Sequence, residues 1–175
     1  MRRILIAGFA ATLIAMPLAA CNKAPAATGA SASAAAAAAA AASKAFLEEN
    51  GKKPGVTTLP SGVQYKITTS GPATGKSPGP HDEVKVHYEG KLINGTVFDS
   101  SLERGVPASF GVDQVIPGWT EILQHMKPGD DWMVYIPPEK AYGEHPEEHG
   151  ADQIPPNSAL IFRVQLIDVL PGFGG

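Results

Sequence analysis

The chain has 175 residues, 43% of them hydrophobic and 18% charged, enough for one domain of ordinary size plus an appendage. Its net charge of -3 becomes -5 once an amino-terminal segment carrying Arg2 and Arg3 is removed, which leaves no basic face for nucleic-acid phosphates. The 19 glycines and 16 prolines favour turns and strands over helices, and no internal repeat is visible.

Residues 1–20 have the form of a secretory signal peptide: a positive start, an apolar run from Ile4 to Leu18, then small residues. Polar, Ala-rich sequence follows with no stop-transfer pattern, so a spanning helix is the weaker reading. The only cysteine falls at the cleavage point, where Leu18-Ala19-Ala20-Cys21 resembles the bacterial lipoprotein box. A lone cysteine in an exported chain has no disulfide partner, and acylation of Cys21 gives it another use. The chain is therefore expected to be exported and lipid-anchored to a bacterial membrane, with its domain in the periplasm or at the cell surface.

Residues 21–55 read as the lipid-attachment cysteine and an Ala-rich tether. Nine consecutive alanines, Ala34 to Ala42, favour a helix that runs to Asn50 and stops at Gly51, but no apolar stripe is present to dock it. Only Phe46 and Leu47 could form a dimer seam, so a stable coiled coil is not expected.

The folded domain is placed at residues 56–175. Val63 to Thr68 alternates as a strand, and Ser70 to Pro80 is a turn-rich loop. Glu83 to Leu92 is the best strand, with Val84, Val86 and Tyr88 on one face. Asn94-Gly95 predicts a hairpin returning through Thr96 to Asp99, which sets Phe98 and Asp99 on opposite faces unless the strand bends. Ser100 to Gly105 reads as a polar connection and Pro107 to Val112 as a short strand. Pro117 opens a helix to about Met126 with Trp119, Ile122, Leu123 and Met126 on one face, either as a core anchor or as a pocket floor. Strands follow around Trp132, Val134 and Ile136 and from Ala159 to Leu170, separated by a Gly- and Pro-punctuated loop from Gly143 to Pro156. Short antiparallel strands around one helix make an α+β domain.

Two motifs are rejected on physical grounds. Gly71 to Ser77 is one residue short of a phosphate-binding loop, and Pro78-Gly79-Pro80 stands where its helix would have to begin. His145-Pro146-Glu147-Glu148-His149 matches an inverted zinc-protease pattern, but Gly143, Pro146 and Gly150 oppose the helix that would align both histidines. No metal and no cofactor are expected.

Val86-His87-Tyr88-Glu89-Gly90, Gly95-Thr96-Val97-Phe98-Asp99-Ser100-Ser101, Val115-Ile116-Pro117-Gly118-Trp119, Ala141-Tyr142-Gly143, Ile154-Pro155-Pro156-Asn157 and Leu160-Ile161-Phe162 resemble, in order and spacing, the FKBP-type peptidyl-prolyl isomerases. The segment Phe46 to Lys66 is similar to the macrophage infectivity potentiator branch, in which a long helix and a dimerisation module precede the domain; this chain is expected to lack that module and to be a monomer. The resemblance implies a curved five-stranded antiparallel sheet wrapped around one short α-helix. It implies Trp119 as pocket floor, Tyr88, Phe98, Val115, Ile116, Ile154 and Phe162 as walls, Asp99 and Tyr142 as catalytic rim groups, and Arg104 as support for Asp99. Ala108 departs from the pattern, since many relatives carry an aromatic there. The implied activity is rotation of X-Pro bonds in proline-containing peptides and unfolded exported proteins, blocked by macrolides such as rapamycin. A chaperone that uses the same pocket without turnover is the alternative.

Overall fold

The computed structural model describes residues 28–151 and 153–170, so the signal segment and Cys21 lie outside the described residues. Its elements run α1 (Thr28–Asn50), β1 (Val56–Thr58), β2 (Gln64–Thr69), β3 (Glu83–Leu92), β4 (Val97–Ser100), α2 (Ser101–Arg104), β5 (Ala108–Gly111), α3 (Pro117–Leu123), β6 (Asp131–Ile136) and β7 (Leu160–Leu170). Short 3-10 turns occupy Pro138–Lys140 and Pro146–His149. No helix among the described residues is long and apolar enough to cross a membrane.

The strands form one antiparallel sheet in the order β1-β2-β6-β7-β3-β4, with β5 also on β3. The longest pairing joins β3 to β7 from Glu83↔Leu170 to Leu92↔Leu160. The other edge of β3 is shared end to end, by β5 against Glu83 to Val86 and by β4 against Glu89 to Lys91. The sheet thus has seven strands rather than the expected five. The difference has two sources: β1 adds a short edge strand on β2, and α2 splits the outer edge of β3 into two pieces.

Alternation along the strands sends one face inward. Val84, Val86, Tyr88 and Leu92 of β3, Trp132, Val134 and Ile136 of β6, and Leu160, Phe162, Val164 and Leu166 of β7 are buried in one hydrophobic cluster. Trp119, Ile122 and Leu123 of α3 and the following Met126 complete it, each aliphatic side chain contributing about 1.5–3 kcal/mol on burial. Pro117 sits at the start of α3, and Ile116 O accepts from Trp119 N at 2.9 Å and Thr120 N at 3.1 Å. The helix ends at Leu123 rather than near Met126. Past it, His125 N and Met126 N bond three residues back, in tighter turns that lead into Pro128.

Residues 100–105 are not a plain connection. Ser100 caps α2 by accepting from Glu103 N, and Gly105 closes it at φ 70°. The Ser-x-x-Glu spacing that marks such a start is present at Ser100 and Glu103.

Helix α1 reaches the domain through polar contacts, where the sequence offered no apolar stripe. Ser43, 1% exposed, donates from Oγ to Asn157 O at 2.9 Å and accepts from Ala159 N at 2.8 Å. Asn50 Nδ2 donates to Gln64 Oε1 at 3.0 Å, and Gln64 Nε2 donates to Leu47 O at 2.8 Å. Phe46 leans on Tyr135 with ring centroids 6.0 Å apart. Ser43→Ala leaves the buried Ala159 N–H without its acceptor and is expected to lower unfolding free energy by about 1–3 kcal/mol. Lys44→Ala, on the exposed side of the same helix, is expected to change it by less than about 0.5 kcal/mol. Urea denaturation followed by tryptophan fluorescence reads both.

Candidate active site

The concave face of the sheet holds a cavity of about 480 Å³. Trp119, brought in by the first turn of α3, lies at its base with 4% of its surface exposed. Three rings stand edge-on to it at nearly right angles: Phe162 at 5.3 Å, Tyr88 at 5.4 Å and Phe110 at 5.9 Å between centroids. Phe98 stands against Phe162 at 5.6 Å and 87°. Edge-to-face packing of this kind fixes ring orientation more firmly than aliphatic packing does. Gly90 makes the arrangement possible, because a Cβ there would lie 2.6 Å from Phe98 and 2.8 Å from Phe162.

Phe98 and Asp99 both line the cavity although they are adjacent on one strand. The pairing shifts from Gly90↔Asp99 to Lys91↔Val97, so Phe98 is the extra residue of a β-bulge. The bend required for both side chains to face one site is thus built into β4.

Asp99, Arg104 and Tyr88 form a closed polar group at the rim. Tyr88 donates its hydroxyl to Asp99 Oδ2, Arg104 Nη1 donates to Asp99 Oδ1, and Arg104 Nη2 donates to the Tyr88 oxygen at 3.0 Å. Helix α2 delivers Arg104, whose guanidinium also lies 5.7 Å from the Tyr88 ring centre. Burial alone would raise the Asp99 carboxyl, but the bonds from Tyr88 and Arg104 and the guanidinium charge outweigh it and hold the acid below its ordinary range. Burial, then the bond to Asp99, pushes the Tyr88 hydroxyl up.

Tyr142 follows the Pro138–Lys140 turn and lines the same cavity. Its hydroxyl, pushed up by burial and then by the Asp99 charge, makes no hydrogen bond among the described residues and is free to donate into the cavity. The Ile116 N–H also has no acceptor among them.

Of the residues singled out in the sequence, Tyr88, Phe98, Asp99, Val115, Ile116, Trp119, Tyr142 and Phe162 line this cavity, and Arg104 stands behind Asp99. Ile154 does not. Its N–H closes a turn on Ala151 O at 2.9 Å, and its side chain is buried in the core. Phe110 stands as a wall that the sequence reading missed. It lies two residues after Ala108 on the same strand, so alternation could have found it. His149 was also missed as a lining residue; its ring tilts against Tyr142 at 5.9 Å. His145 instead pairs with Glu147 at 3.1 Å, so the two histidines of the zinc-like motif have separate partners. The long loop that carries them is held to β4 by Gln153 Nε2 donating to Phe98 O at 3.2 Å.

Residues 75–167 match the family model described as FKBP-type peptidyl-prolyl cis-trans isomerase, and residues 6–67 match the one described as the domain amino terminal to it. The chain is 55% identical over 127 residues to the peptidyl-prolyl cis-trans isomerase Mip of Coxiella burnetii, covering 73% of this chain and 53% of that protein. It is 54% identical over 125 residues to the outer membrane protein MIP of Legionella longbeachae, covering 71% and 52%. The crystal structure of FkpA from Escherichia coli is similar at a TM-score of 0.74 and 44% identity, over 81% of this chain and 64% of that one. The chain spans about half the length of the curated relatives it matches. With more than half of its residues matched by one family model and the cavity formed by that same stretch, the chain belongs to the FKBP-type peptidyl-prolyl cis-trans isomerase family.

Proposed function

We propose that the chain accelerates cis-trans rotation of X-Pro bonds in exported proteins. The observation that carries this reading is an aromatic cavity floored by Trp119 and lined by both an ionised Asp99 and a Tyr142 hydroxyl that has no partner among the described residues. The X-Pro amide resists rotation by about 18–20 kcal/mol because twisting breaks its partial double bond. The planar amide is the more charge-separated form, and water favours it. A dry cup of Tyr88, Phe98, Phe162, Val115, Ile116 and Trp119 around the proline ring therefore favours the twisted form. The Tyr142 hydroxyl and the Ile116 amide hold flanking carbonyls, and Asp99 sets the field beside the rotating one. Arg104 and Tyr88 keep that carboxylate charged and aimed. Catalysis by Asp99 and Tyr142 in this sense requires no nucleophile and no cofactor.

Ile154 acts from behind as packing, and macrolides such as rapamycin are expected to compete for the cup. Export rests on the signal form of residues 1–20, with residues 21–55 as lipid attachment and helix and 56–175 as the isomerase domain. Anchoring through Cys21 is supported by the lipoprotein-like box, and export by the relative named an outer membrane protein. A monomer is supported by Phe46, half of the only apolar seam on α1, being engaged with Tyr135 of the same chain.

Tyr142→Phe is expected to lower kcat/KM for a short X-Pro peptide about ten- to a hundredfold without moving the unfolding midpoint, since only a rim donor is lost. An unchanged rate would remove Tyr142 from the mechanism. Asp99 has a lowered native pKa, so its charge contributes stability that is full above the ordinary carboxylate range and lost as pH falls from there through the lowered native pKa. Asp99→Asn should therefore flatten the decline in stability below about pH 4 in thermal melts. With Arg104 52% and Asp99 38% exposed, the difference is small and fades in high salt.

A further inference from the structure

A second groove, of about 590 Å³, lies where α1 crosses the domain. Leu47 and Glu48 of α1 form one wall, and Pro137, Pro138 and Glu139 belong to the other. The docking bonds of Ser43 and Gln64 hold these walls apart at a fixed spacing, so the groove exists only because α1 is seated. Its lining is largely apolar, while its rim carries Glu48, Glu139 and Glu144 against a single cation, Lys44. Lys44 Nζ is already 4.0 Å from Glu48, and Glu139 and Glu144 make no ion pair among the described residues.

This groove and the proline cavity are two sides of one turn. Ala141 and Gly143 both donate their N–H to Pro138 O, at 3.0 and 2.9 Å. Ala141 and Tyr142 face the cavity, whereas Pro138 and Gly143 face the groove. A chain lying in the groove is therefore within a few residues of a proline seated over Trp119.

We propose that the groove is a second binding site for unfolded clients, taking an extended stretch in which apolar and basic side chains alternate. Apolar side chains fill the trough and lysine or arginine meets Glu139 and Glu144 at the rim. A second copy of this chain fits poorly, because its net charge is -3, and an anionic lipid surface is repelled by the same carboxylates. The client's identity rests on the isomerase reading, but binding does not.

The test is a titration of the full chain with a proline-free fluorescent peptide of alternating lysine and leucine, beside its glutamate-for-lysine counterpart. The lysine peptide is expected to bind and the glutamate peptide not. Glu139→Gln/Glu144→Gln, at two exposed positions, should weaken the lysine peptide about five- to tenfold. Turnover of a short X-Pro peptide should stay unchanged in that variant, and saturating rapamycin should leave the lysine peptide bound. Ala40→Trp, which fills the groove from α1, should abolish binding. Equal binding of the two peptides, or an affinity unmoved by both variants, overturns the proposal. Displacement by rapamycin does so too, since it puts the peptide in the proline cavity. A dimer that dissociates in both variants would assign the groove to a second copy and would also overturn it. Absence of X-Pro turnover in the unaltered chain, with lysine-peptide binding retained, defeats the isomerase reading alone and leaves the groove standing.

Discussion

Helix α3 lies so close to the sheet that a Cβ on Gly118 would come within 2.5 Å of Ile136, and this contact sets how deeply Trp119 enters the concave face. A larger residue at position 118 would lift the helix and with it the cavity floor. At the observed depth the indole meets Phe162, Tyr88 and Phe110 edge-on, so three strands are tied to one helix through a single side chain. The indole N–H is buried with no hydrogen-bond partner among the described residues, a cost of about 1–3 kcal/mol that the aromatic contacts offset. The packing that makes the core is here the same packing that makes the cavity floor.

The polar half of the site depends on different devices. A bulge at Phe98 turns Phe98 and Asp99 toward the same cavity, and the capped turn of α2 brings Arg104 back onto Asp99. The result is a carboxylate kept charged at the edge of the aromatic cup. Tyr142 rides on a separate turn, braced by the Ala141 and Gly143 N–H groups on Pro138 O.

Much of this was legible in the sequence because it follows local rules. Alternation gave the inward faces of β3, β6 and β7, Pro117 gave the start of α3, and the ordered blocks gave most of the cavity residues. What was not legible depends on geometry that no single stretch encodes. The turn at Ala151 sends Ile154 into the core. The docking of α1 was hidden because it uses one serine and one asparagine in place of an apolar stripe. The capping pattern at Ser100 and Glu103 is present in the sequence, within a stretch that reads by its polarity as a plain connection.

In the proposed mechanism the cavity over Trp119 lowers the barrier to X-Pro rotation by holding the twisted amide without covalent chemistry. Exchange spectroscopy of a short X-Pro peptide with substoichiometric protein measures that rotation directly, with no coupled protease. The account predicts cis-trans exchange well above the spontaneous rate, which is on a scale of tens to hundreds of seconds, and return to that rate with one equivalent of rapamycin. Exchange that stays at the spontaneous rate while the peptide demonstrably binds would contradict it.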